Sequence, residues 1–293
     1  GRSRASRWGE RTAQGVLFES LGDIHLKGEG APVNLTRSAA LESSPAYDAT
    51  TRTVYFASWT DDSLGAVWSL ALPPNARRAT PTRLTTLPAQ YGSLALSRDG
   101  KTLAFLRGGS AITRGQSLEE QERFDLVIVG SDRVERVVTS VPWLNTNPLG
   151  ARRPPDVSFS ADGETLFVSE MERDTLFLRS VRRDGSAKQT LYALPHAVAV
   201  SRSPDGAWIA FREYTKSFIA PASFAGKTVT LSGHDGMGAT LRIDTRDGEN
   251  LRWSPDGQGV SWTRGATFFE KPVAAIVAKQ ADGARATDLA VEY

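Results

Sequence analysis

The sequence contains no cysteine, and that absence removes whole classes of chemistry. A disulfide framework, a thiol nucleophile and cysteine-ligated zinc or iron–sulfur centres are all excluded. It does not choose between cytoplasm and periplasm. Histidine is nearly as scarce, being confined to His25, His196 and His234. No run approaches the roughly 18 apolar residues of a membrane-spanning helix, and no signal-peptide pattern is present. An excess of one charge is missing too. Lys plus Arg number 35 against 33 acids, a net +2, so the pI near 8.9 rests on a small imbalance. The pairs Arg77-Arg78, Arg152-Arg153 and Arg182-Arg183 are scattered and not interleaved with aromatics, so they read as solvated loop charges. Nucleic acid is not an expected partner. Helical periodicity is absent as well, apart from Ser117–Arg123, which suits about two turns inside a loop.

What is present is one phrase repeated: an apolar alternation, Ser-x-Asp-Gly, then a second alternation. It occurs at Ser97–Gly100, Ser160–Gly163, Ser203–Gly206 and Ser254–Gly257, with a degraded copy at Ala46–Thr50 that has lost its Gly. Asp-Gly between two alternating runs is a hairpin signal, because Gly accepts the positive φ of a tight turn. The motif aspartates Asp48, Asp99, Asp162, Asp205 and Asp256 are 51, 63, 43 and 51 residues apart. That spacing suits one four-stranded sheet per repeat, as in a propeller blade. A sixth copy is expected at the start, with Trp8 in the place of Trp253 and Gly15–Phe18 as turn and second strand. The expectation is therefore an all-β, six-bladed β-propeller of four-stranded antiparallel blades, one domain spanning residues 1–293. In the third repeat the strands fall at Ser93–Leu96, Thr102–Leu106, Phe124–Val129 and Val134–Thr139; in the fourth, at Val157–Phe159, Leu166–Ser169, Thr175–Val181 and Gln189–Tyr192. Closure requires Thr287–Tyr293 to pair with, or pack beside, residues before Ser20, since a closed ring leaves no exposed edges.

Ser-Pro-Asp-Gly followed by an apolar strand ending in Phe resembles the WD-like repeat of TolB and its relatives. These include the propellers attached to serine peptidases, tricorn-type proteases and some metal-dependent amidohydrolases. Leu35-Thr36 and Arg83-Leu84-Thr85 resemble the ending of such repeats. Trp208–Tyr214, Gly226–Val229 and Asn250–Ser254 resemble the final blades of the amidohydrolase-linked propellers. The resemblance implies a non-catalytic interaction module in a bacterial extracytoplasmic or periplasmic protein. Its partner would be a protein or an adjacent hydrolase domain, and Gly1-Arg2-Ser3-Arg4 reads as the cut start of a longer product. The alternatives are a free-standing TolB-type scaffold that binds protein or peptide, and an enzyme using the channel mouth, such as a glycan hydrolase or lyase.

Catalytic signatures are sparse. His25 lies in an apparent strand and reads as structural, His196 falls in a loop at a blade junction, and His234 opens a glycine-rich turn without the Lys-Ser/Thr of a phosphate loop. No Gly-x-Ser-x-Gly occurs. No cofactor or metal is expected. Glu170, Glu172 and Glu213 are the candidates for carboxylate catalysis, with ion pairing as the plainer reading. The motif aspartates are expected to bond their own turns rather than a metal. Most tryptophans fall in strands, whereas Trp59 and Trp143 adjoin loops.

Loops point to the binding face. The second-to-third-strand loops and the blade-to-blade loops open on one face, opposite the Ser-x-Asp-Gly turns. The long segments Arg107–Arg123 and Ser140–Pro155 both rise there, and long loops on a rigid scaffold commonly carry binding. The second-strand ends should present Glu19, Trp59, Arg107, Glu170, Arg212 and Arg264 at this channel mouth. Guanidinium groups suit carboxylates or phosphates, and Trp59 adds an apolar surface. Glu19 and Glu170 would be equally well suited to neutralising those arginines.

Overall fold

A computed structural model of the chain describes residues 6–72, 80–109, 122–145, 154–223, 226–233, 240–246, 248–279 and 283–292. The first sheet comprises β1 (Arg7–Thr12), β2 (Gly15–Ser20), β3 (Asp23–Lys27) and β4 (Val33–Asn34), in that order. The second repeats the meander with β5 (Leu41–Asp48), β6 (Thr53–Thr60), β7 (Leu64–Ala71) and β8 (Thr82–Arg83). Next come β9 (Tyr91–Leu96), β10 (Leu103–Arg107), β11 (Arg123–Val129) and β12 (Glu135–Asn145). These are followed by β13 (Val157–Phe159), β14 (Thr165–Arg173), β15 (Thr175–Arg182) and β16 (Gln189–Leu194). A further meander is β17 (Ala197–Arg202), β18 (Trp208–Glu213), β19 (Lys216–Pro221) and, after the two-residue β20 (Val229–Thr230), β21 (Leu241–Arg242). The last sheet is β22 (Glu249–Trp253), β23 (Gly259–Arg264), β24 (Thr267–Pro272) and β25 (Arg285–Asp288), with a five-residue helix α1 (Val273–Val277) between the final two strands.

Four sheets are thus four-stranded and antiparallel, whereas β9–β16 and β20 form one mixed nine-stranded sheet. The expectation of uniform sheets needs that correction, and its cause is local. β14 outruns its short inner neighbour β13, leaving Met171–Arg173 without a partner on that side, and Trp143–Asn145 of β12 fill the gap in parallel register. Residues Ser140–Asn145 are therefore strand rather than the start of a loop, and Trp143 is buried in the core with Val141. β20 likewise crosses over to pair with β16 in parallel.

The first strands of the meanders touch in turn, β1 to β5, β5 to β9, β9 to β13 and β13 to β17, and β22 returns to β1. The sheets therefore stand in a ring. Five of these inner strands open with a shift in register. Four carry a non-glycine residue at positive φ there: Trp8, Ser44, Ser93 and Asn250. Trp8 is thus equivalent to Asn250, three residues earlier than the Trp253 expected from sequence. Such bulges bend a strand and increase its twist.

The Ser-x-Asp-Gly turns explain their own sequence. In each, the Ser hydroxyl donates to the Asp carboxylate and accepts the N–H five residues on, at 2.8–3.0 Å. The carboxylate also accepts the N–H two residues on, at 2.9–3.1 Å. Gly closes the turn at φ between +70° and +76°, a region costly for residues with a Cβ. These bonds hold the Asp99, Asp162 and Asp256 carboxyls below their usual range, the Ser hydroxyl bond being the leading cause. In the degraded copy Asp48 accepts from Thr50 N–H at 2.9 Å, and Arg52 takes the positive φ.

Apolar clusters fill the spaces between adjacent sheets. Leu17 and Ile24 meet Val54, Phe56 and Leu70, while Val260 and Trp262 meet Ala210, Ile219 and Ile243. Closure uses Val16 and Phe18 against Phe268, Leu289 and Val291, so the chain's end packs beside residues before Ser20.

Candidate functional site

One face of the ring carries the short turns Leu21-Gly22, Asp61–Ser63 and Tyr214-Thr215 together with the sheet-to-sheet connections. Leu21, Leu41, Leu87 and Tyr214 all lie on it and are 57%, 64%, 51% and 51% exposed. Three of these belong to one neighbourhood. Leu41 stands directly opposite Trp59 on β6, and its side chain covers Gly22, next to Leu21. Trp59 faces Gly65 across the hairpin, and a Cβ on Gly65 would meet the Ala89 carbonyl at 2.1 Å, which brings the Leu87–Ala89 connection against the same spot. The Trp59 indole N–H donates to Asp61 at 3.2 Å, leaving its half-buried ring at the surface. Behind the patch, Glu42 is buried and accepts the Ser38 hydroxyl at 2.8 Å; burial pushes its carboxyl above the usual range.

The other expected mouth residues are held within the protein. Arg107, the last residue of β10, bridges Asp125 at 2.9 Å and Glu135 at 3.1 Å. Glu135 in turn accepts the Thr86 N–H, tying the connection before β9 to the outer strand β12. Arg264, ending β23, pairs with Asp244 at 3.1 Å and lies over the Phe269 ring. Arg212 is buried and donates to the Gly248 carbonyl at 3.3 Å. Both of these arginines therefore brace the connection between the last two sheets. Glu19 is half-buried, opposite Arg7. Glu170 lies inside β14, which runs on to Arg173, rather than at a strand end. It is fully buried between Arg179 and Lys188, with the lysine at 2.6 Å, and Arg179 also takes Glu172 at 2.6 Å.

The candidate catalytic carboxylates are all engaged within the protein. Glu170 and Glu172 share Arg179, and buried Glu213 accepts the Gly233 N–H at 2.8 Å. His25 is buried, stacked on Phe18 and held to the Asp23 carbonyl at 3.1 Å; burial lowers its affinity for a proton. Among the described residues no cluster of three metal-binding side chains occurs, and no helix is long and apolar enough to cross a membrane. His234 and most of the two long segments, residues 110–121 and 146–153, lie outside the described residues, as does most of Ser117–Arg123.

No protein-family model matches the chain, and no curated protein matches it in sequence. Solved structures do match. TolB from Acinetobacter baumannii superposes with a TM-score of 0.60 at 15% identity, covering 93% of this chain and 61% of that one. The fold is a TolB-like β-propeller. A nidogen/laminin complex follows at 0.59 and 12% identity, covering 94% and 92% of the two chains. A gluconolactonase from Xanthomonas campestris gives 0.59 at 15%, covering 90% and 85%. At these identities the likeness carries the fold and leaves the function to the site.

Proposed function

We propose that this chain is a six-bladed propeller, residues 1–293, that binds a protein or peptide partner at its mouth and performs no chemistry itself. The observation that carries the reading is the exposed cluster of Leu21, Leu41 and Trp59 beside Leu87, on the face where connections converge. Large apolar side chains gathered at one exposed place favour a partner, whereas scattered ones need no explanation. Aromatic anchors with apolar neighbours are the usual centre of such contacts. Of the residues expected from sequence, Trp59 makes direct contact, while Arg107, Arg212 and Arg264 brace connections and strands of the same face and Glu19 and Glu170 stay outside the contact. The engagement of Glu170, Glu172 and Glu213 in internal bonds favours binding over a hydrolase or lyase reaction in this chain. The proposed setting is a bacterial extracytoplasmic protein in which the partner is an adjacent hydrolase domain or a separate envelope protein.

The test is selection of a phage-displayed peptide library against the whole chain. The selected peptides should lose at least about tenfold in affinity for the double variant Leu41→Asp/Trp59→Ala. They should bind Glu164→Lys, altered on the opposite face, as they bind the parent. Peptides indifferent to the mouth variant, or equally weakened by Glu164→Lys, would refute the proposal.

A further inference from the structure

The junction of the last and first sheets is built differently from its neighbours. Its apolar cluster places Phe18, Phe268, Leu289 and Val291 toward the mouth, with Val16 lower, opposite Arg11. Toward the Ser-x-Asp-Gly face the same junction is charged. Arg252, Ser261, Glu270 and Arg285 stand directly opposite one another on successive strands, forming a row across the entire last sheet. Residues so paired share one sheet face. β1 supplies the other wall. Arg11 grips Glu270 through both carboxylate oxygens, its Nε at 3.1 Å from each, and reaches Thr287. Glu10 faces Arg252 at 3.7 Å, beyond hydrogen-bonding distance, and the same guanidinium lies over the Trp8 ring. Between these walls opens a cleft of about 570 Å³, a volume typical of small-molecule sites.

The charges lining this cleft do not cancel. Four bases face three acids. Asp256 is engaged in its own turn, and Lys271 donates to the Ile243 carbonyl at 3.2 Å on the far side of the sheet. What remains is three guanidiniums against Glu10 and Glu270. Arg11 satisfies Glu270. Burial pushes the Glu10 carboxyl up to about 7, against the opposing pull of Arg252 and the Tyr47 N–H, so near neutrality its charge is only partly present. Arg285 is exposed and has no side-chain partner among the described residues. The positive surplus therefore sits at the two ends of the row.

We propose that this junction cleft binds a small anion bearing carboxylate or phosphate groups, held by Arg252 at the inner end and Arg285 at the outer end, with the Ser261 hydroxyl donating between them. Guanidinium forks match both kinds of group. The two arginines stand three strand spacings apart, about 14 Å along the sheet, so a polyanion engages both ends where a single carboxylate engages one. The site is independent of the mouth and lies toward the opposite face.

The experiment is isothermal titration calorimetry of the whole chain at pH 8 and fixed ionic strength, with citrate, pyrophosphate and acetate as probes. Citrate or pyrophosphate should bind saturably and more tightly than acetate; preference between the two tells carboxylate from phosphate recognition. Arg285→Ala, at an exposed position, should weaken the preferred probe about tenfold. Glu10→Gln should tighten it several-fold, because Arg252 loses its competing carboxylate. Arg37→Ala, remote and exposed, should change nothing. Absence of saturable binding to citrate and to pyrophosphate, acetate binding as tightly as either, or an unchanged affinity in Arg285→Ala or Glu10→Gln, overturns the proposal.

Discussion

Replacing Gly257 by Ala should destabilise the ring more than replacing Gly163, although both close the same turn. Their backbones are equally left-handed, at φ +74° and +73°, so each Ala pays about 1–2 kcal/mol for that conformation. The surroundings differ. A Cβ on Gly163 meets only the Ser97 Cβ, at an ordinary 3.8 Å. A Cβ on Gly257 would stand 2.8 Å from Cγ and 2.9 Å from Oδ1 of Asp205, in the neighbouring sheet's turn. Asp205 is not free to retreat. It holds the Ser203 hydroxyl at 2.5 Å, the Ala207 N–H at 3.0 Å and the Gln258 amide at 3.1 Å. Relieving the overlap sacrifices part of that network, for about 1–3 kcal/mol more. In urea unfolding, Gly257→Ala should therefore have the lower midpoint by about 0.5 M, for a slope near 3 kcal/mol per molar. In an Asp205→Ala background the extra loss should vanish, leaving the cost seen at Gly163. Equal midpoints for the two single variants, or an undiminished loss in the Asp205→Ala background, would show that sheet-to-sheet contact at these turns is not what selects glycine.

Phe268 is the centre of ring closure, fully buried and pressed on Gly9, where a Cβ would lie 2.6 Å from its ring. Phe268→Ala should cost about 3–5 kcal/mol by urea unfolding, and a loss under 1 kcal/mol would mean that closure does not hold the ring together. Glu10 gives a pH signature: its carboxyl rises from 4.5 to about 7 in the folded chain, so the native state binds this proton more tightly than the unfolded chain. Its contribution is fully present below pH 4.5 and is lost as pH rises to 7, by at most about 3 kcal/mol; Glu10→Gln should flatten that part of the stability–pH curve, and an unchanged curve would refute the assignment.

The turns and most strands were legible in the sequence because their determinants are local. Ser, Asp and Gly at fixed offsets satisfy one another within six residues, so the four copies announced themselves and their hairpins. β15 begins at Thr175 and β16 at Gln189, as the alternation implies. What was not legible depends on neighbours distant in the chain. Trp143 looked like loop because nothing nearby shows that β14 outruns β13 and needs a parallel partner. α1 is a single short turn of helix, too brief to impose a period. Arg107 and Arg264 were correctly placed at strand ends, yet their side chains answer to Asp125, Glu135 and Asp244. Leu21 and Leu41 carry no local signal of a surface role, and only the ring shows that they face outward.

A propeller repeats its local solution, so function has to arise where repetition fails. The Ser-x-Asp-Gly face is the most uniform part of this molecule, with the same bonds made in each of the four copies. The mouth is uneven: connections differ in length, and three arginines at or next to the ends of second strands, Arg107, Arg212 and Arg264, are drawn into bracing those connections and the outer strands. That leaves the unbraced apolar residues around Trp59 as its most distinctive surface. The closing junction is uneven for a different reason. There the inner-strand position held by Arg252 in the last sheet is held by Glu10 in the first, and a repeat that would otherwise stack like on like instead brings opposite charges together at 3.7 Å. A purely apolar closure would have been available, since Leu17, Val54 and Phe56 provide one at the next junction. Charged groups desolvated without full hydrogen bonding cost stability rather than adding it, so the open, charged half of this junction is better accounted for by a ligand than by the requirements of closing a ring.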